Sequence, residues 1–97
     1  MKKNNYVPKP VDTSNIILDG EILDLAEVLS KNTHEVWSVG KLKEGWTYGE
    51  VLDQDKKQHP SLIPYEELTE SQKDYDRHTS IETLKVLIAL GFEIKKK

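Results

Sequence analysis

Residues 19–49 read DGEILDLAEVLSKNTHEVWSVGKLKEGWTYG, and their spacing decides what kind of domain this is. Asp19 or Gly20 can open a helix. Ile22, Leu25, Leu29, Asn32, Val36 and Val39 then recur at steps of three and four, the period of one helical face. The spacing predicts a helix to about Lys41 that ends before Gly45, with this stripe turned toward the core. His34, Trp37 and Lys41 share a second arc, largely on the far side of the helix, with Trp37 at the boundary. Trp46 to Leu52 mixes aromatic and alternating residues, which suits a short strand. Both tryptophans of the chain fall within this stretch, with Lys41 and Lys43 between them. Aromatic faces beside cations suit a planar anionic ligand such as a nucleotide. They suit a protein interface equally well.

Outward from this stretch, the signals stay local. Met1 to Pro10 reads as an extended arm, because Pro8 and Pro10 disfavour helix before them. Val11 to Leu18 reads as irregular chain crossing the core. Asp53 to His59 is charged and turn-like, and Pro60 to Pro64 is extended with Leu62 and Ile63 available to bury. Pro64 or Tyr65 can begin a short helical turn with Leu68 facing inward. Thr69 followed by Gln72 fits a capping box that opens a second helix. Ser80 caps a further helix or continues the same one. Ile81, Leu84, Leu87 and Ile88 form its stripe, and Gly91 terminates it. Phe92 and Ile94 alternate with charges and can pair with the strand near Tyr48.

The expected architecture is therefore α+β and predominantly helical. It has two main helices, short antiparallel strands and an extended N-terminal arm. The 97 residues make one domain, with residues 1–5 and 95–97 expected to be flexible. That length supports one modest core.

Composition removes several function classes. The net charge of −3 argues against general nucleic-acid binding. The terminal Lys95, Lys96 and Lys97 read as a solvated tail. Without cysteine there is no disulfide, thiol catalysis or cysteine-based zinc site. No signal-peptide pattern and no long apolar run is present, so the chain reads as a cytoplasmic domain without membrane insertion. His34, His59 and His78 lack the i, i+4 spacing of a typical zinc pair. Asp53 and Asp55 lack the remaining ligands of a calcium loop. Ser30 near His34 has no orienting acid, so nothing reads as an enzyme active site and no cofactor is expected.

The matching residues of a known family run nearly end to end. They include Tyr6, Pro8, Pro10, Val11, Asp12 and Thr13, then Leu29, Asn32, His34, Glu35 and Trp37. Gly45, Trp46, Tyr48 and Gly49 follow, then Asp53, Lys57, His59, Pro60, Leu62, Pro64 and Tyr65. Asp76, Arg77, Glu82, Thr83, Leu84, Lys85, Leu90 and Gly91 complete the series. In these residues the chain resembles the RyR domain, a module named for its tandem copies in ryanodine receptor channels and found singly in bacterial proteins. The resemblance implies a mostly helical α+β fold. It also implies a non-catalytic module for an adenine nucleotide or related metabolite, the aromatic of a His-x-x-Trp motif stacking on the base. Carried over, that places His34 and Trp37 at the ligand. Lys41 stands where the family often has arginine, keeping the charge without the bidentate fork. The channels use two copies facing each other, so the resemblance implies that a complete site can need a homodimer.

Each candidate has a second reading. Trp37 can cover the edge of the core. Trp46 and Tyr48 share one face of the expected strand, which suits core packing as well as a pocket wall. His34 can meet a ligand or cap a backbone group. The competing function is a protein-interaction or homo-oligomerisation domain with no small-molecule ligand.

Overall fold

A computed structural model of the chain describes residues 5–97. Residues 1–4, the start of the expected arm, lie outside the described residues. Helix α1 spans Gly20–Lys43 and helix α2 spans Glu70–Ala89. Between them come strand β1 (Thr47–Tyr48), strand β2 (Gln58–His59) and one turn of 3₁₀ helix at Tyr65–Glu67.

The helix ends follow from local chemistry. The Asp19 carboxylate accepts from the Ile22 amide at 3.0 Å, satisfying an orphan N–H of the first turn. Thr69 and Gln72 form the expected reciprocal capping box. Helix α2 runs unbroken through Ser80. It stops before Gly91, whose φ of +97° only glycine adopts at little cost.

The helices pack on each other through small residues. Ser30 is fully buried, donates to the Ala26 carbonyl at 2.8 Å and lies 3.3 Å from the Ser80 hydroxyl. Leu18, Ala26 and Leu84 form the centre of the core, with Ile16, Ile22, Leu29, Ile81, Ile88 and Ile94 packed around it. The irregular segment before α1 thus does cross the core. Thr13 at its start is pinned by a 2.7 Å bond from its hydroxyl to Glu82.

The buried side of α1 matches the expected stripe in part: Ile22 and Leu29 pack on the core. Ala26, Ser30 and His34 are its buried residues. Leu25, Asn32, Val36 and Val39 of that stripe are exposed instead. Close approach of the helices selects small side chains at the seam, and these weigh little in a hydrophobic pattern.

The strands differ too. β1 and β2 pair in parallel, Thr47 with Gln58 and Tyr48 with His59, where antiparallel strands were expected. The connection reverses within itself instead: Asp53 and Gln58 exchange two 2.9 Å backbone bonds in an isolated antiparallel bridge. The chain bends at Glu50 and Val51 and reverses again at this bridge, and the two changes of direction return it alongside β1 in its original direction. Phe92 and Ile94 form no strand. Phe92 is exposed and Ile94 packs on the core.

The 3₁₀ turn is held between the helices. Tyr65 is buried and donates to Glu27 at 3.0 Å. Arg77 grips the same carboxylate through Nε at 2.7 Å and Nη2 at 3.2 Å, and reaches Asp74 and Glu70 with Nη1. The Arg77 contact holds the Glu27 carboxyl below its ordinary value. Burial, followed by the Glu27 contact, pushes the Tyr65 phenol up.

Candidate functional site

A cavity of about 360 Å³ opens where α1, the β2 loop and the first half of α2 meet. His34, Trp37, His59, Ser61, Gln72 and Asp76 contribute to its wall. Its size falls within the range of small-molecule sites.

His34, Trp37 and His59 border it, and the ring contacts continue from His59 to Trp46 outside its wall. His34 stacks on Trp37 with centroids 5.6 Å apart. The His59 ring meets Trp37 edge-on at 4.9 Å and Trp46 at 6.2 Å. Lys41 lies over the Trp46 ring, its ammonium 4.7 Å from the centroid. Edge-to-face and cation–π contacts of this kind hold rings in fixed orientation.

Backbone groups fix the protonation of both histidines. His34 Nε2 lies 2.7 Å from the Ile63 carbonyl, which can only accept. Nε2 therefore carries the proton, and in the neutral ring Nδ1 is an acceptor. At His59 the Ser61 amide donates to Nδ1 at 3.0 Å, so the neutral ring carries its proton on Nε2. Burial, then the Lys41 charge, lowers the His59 pKa and keeps the ring neutral. The two imidazoles thus differ: one retains an acceptor nitrogen and the other a donor.

His34, Trp37, Lys41 and Trp46 therefore come together, three from α1 and one from the turn before β1. The fifth sequence candidate, Tyr48, is half exposed and makes none of the ring contacts. His59 joins the two tryptophans, and spacing alone gave no reason to single it out. Its only sequence signal was its place among the residues carrying the family resemblance. Asp76 also lines the cavity, and its sequence signal was likewise only its place among the residues carrying the family resemblance. Ser30, the one candidate nucleophile, is sealed between the helices. Among the described residues no cluster could hold a metal ion, and no helix is long and apolar enough to cross a membrane.

A larger hollow of about 770 Å³ lies between the start of α1 and the C-terminal segment. It has no aromatic ring, and Asp19, Glu21 and Asp24 line it. The smaller cavity is the better candidate on chemistry.

Two helices packed on each other and joined through a short strand pair, with a ring-lined cavity where these parts meet, define a small α+β domain. The chain belongs to the RyR domain family, whose model matches residues 6–96. This is a non-enzymatic domain family.

Proposed function

We propose that this RyR domain is a non-catalytic binding module for a nucleotide or nucleotide-like metabolite. The observation that carries the reading is the row of rings along a cavity large enough for a planar base. The base stacks on Trp37. His34 Nδ1 and the Asp76 carboxylate accept from its amino group, and His59 Nε2–H donates to a ring nitrogen. Trp46 lies behind the His59 ring, outside the cavity wall, and Lys41 over it meets phosphate that extends past His59. Asp76 repels phosphate and so orients the ligand. Tyr48 serves at most the rim.

A thermal-shift series with adenine and guanine mono-, di- and triphosphates and cyclic nucleotides tests this. At a hundred times its dissociation constant a ligand adds about 2.7 kcal/mol. For a domain of this size that is a rise on the order of 10 °C or more. The shift should vanish in Trp37→Ala, with Trp37→Phe as a milder control that keeps a stacking face. Absence of a shift with every compound would sink the reading.

A further inference from the structure

A second apolar row on α1 faces away from the core, and at its N-terminal end Glu21, Leu25 and Val28 line the larger hollow beside Ile94 and Lys95. Leu25 is 36% exposed, Val28 65%, Val36 63% and Val39 53%. Asn32 lies at the middle of this row and is exposed as well. Glu21 and Lys43 sit at its two ends. At about 100° per residue all seven positions fall within an arc of roughly 80°. A continuous exposed row of this kind on a small domain marks an interaction surface.

We propose that this face binds the same face of a second copy, antiparallel, about a two-fold axis at Asn32. The row itself supplies the argument. The steps from Glu21 through Leu25, Val28, Asn32, Val36 and Val39 to Lys43 are four, three, four, four, three, four. That order reads the same from either end. Antiparallel pairing about Asn32 therefore sets Leu25 on the partner copy's valine at 39, and Val28 on the valine at 36. Asn32 meets its own equivalent, and a carboxamide can donate to and accept from another. At both ends the Glu21 carboxylate meets the lysine at 43.

Among the described residues neither Glu21 nor Lys43 forms an ion pair, so beyond complementing the helix dipole at their ends of α1 both charges are open to a partner. A two-fold interface requires such self-complementarity. The mean step is about 3.7 residues, close to the 3.6 of a straight α-helix, so the row stays on one face along its whole length without supercoiling. From Glu21 to Lys43 the seam is roughly 33 Å long. One helix face is a small contact, so the dimer is weak and depends on concentration.

The cavity lies on the opposite side of α1. The dimer therefore holds two separate cavities facing outward, and it forms whether or not the nucleotide reading holds. This differs from two copies closing over one shared site.

Sedimentation velocity of the full chain across a wide concentration series should show a reversible monomer–dimer equilibrium. Val36→Glu, at an exposed position, should abolish the dimer while leaving the circular dichroism spectrum unchanged. Glu21→Lys alone and Lys43→Glu alone each set like charges together at both ends, so each should weaken self-association several-fold. An equimolar mixture of those two variants restores both attractive pairs, so heterodimer should form. A chain that stays monomeric throughout overturns the proposal. So does a dimer indifferent to Val36→Glu, or a mixture no tighter than its components.

Discussion

Replacing His34 with Phe separates the shape of the buried ring from its hydrogen bond. His34 is only 5% exposed, stacks on Trp37 and tilts against Tyr65 with centroids 6.3 Å apart. Phenylalanine keeps a ring in that space. It removes the Nε2–H that serves the Ile63 carbonyl at 2.7 Å. A buried acceptor left without its donor costs about 1–3 kcal/mol. This contact is part-buried, so the lower half of that range applies, about 1–2 kcal/mol. At about 4–8 °C per kcal/mol, the melting temperature should fall by roughly 4–16 °C. Thermal denaturation followed by circular dichroism measures the fall. Amide spectra should show the disturbance concentrated in residues 61–65, and ¹⁵N shifts of the wild-type ring should place the proton on Nε2. A variant melting with the wild type would refute the reasoning, because the carbonyl would then owe nothing to His34.

Other predictions are independent of that one. His59 titrates below its ordinary 6.5 when folded, so the unfolded chain binds more protons as pH falls; stability is full above that value and declines through the folded pKa. Lys41→Met should move the His59 titration, read by NMR, back up. Leu84→Ala empties a core position that is 4% exposed; denaturant unfolding should show a loss of about 2–5 kcal/mol. A Cβ on Gly49 would stand 2.6 Å from Gln58 Cβ, so Gly49→Ala must push β1 and β2 apart. Overpacking of this kind costs about 1–3 kcal/mol, and ring-current shifts at the adjacent His59 should report it.

What could be read from the chain was whatever a few neighbouring residues settle. Asp19, the Thr69–Gln72 pair and Gly91 set helix ends through contacts three or four residues long. The Pro64–Leu68 turn was legible for the same reason. The buried face of α1 was legible only in part. Hydrophobic pattern favours valine and leucine, whereas the seam between the helices needed Ala26, Ser30 and Ser80 for close approach. Of the expected stripe, Ile22 and Leu29 turn inward, whereas Leu25, Val36 and Val39 turn outward. Strand direction also escaped, because it depends on how the chain turns back at Asp53 and Gln58. At the candidate site, one helical turn brings His34, Trp37 and Lys41 into register. His59 arrives through tertiary folding alone, so no spacing could announce it.

The segment from Glu44 to Pro64 carries the His59 side of the cavity yet contributes little to the core. Its Val51 and Leu52 are exposed, and it is tied to α1 mainly by ring contacts and the His34 bond. Its opening free energy is then smaller than that of the helix pair, so its amides should exchange with deuterium as a separate cooperative unit. A ligand bridging His34 and His59 would couple that unit to the helices. Exchange protection in residues 47–59 would then register occupancy at temperatures far below the melting transition.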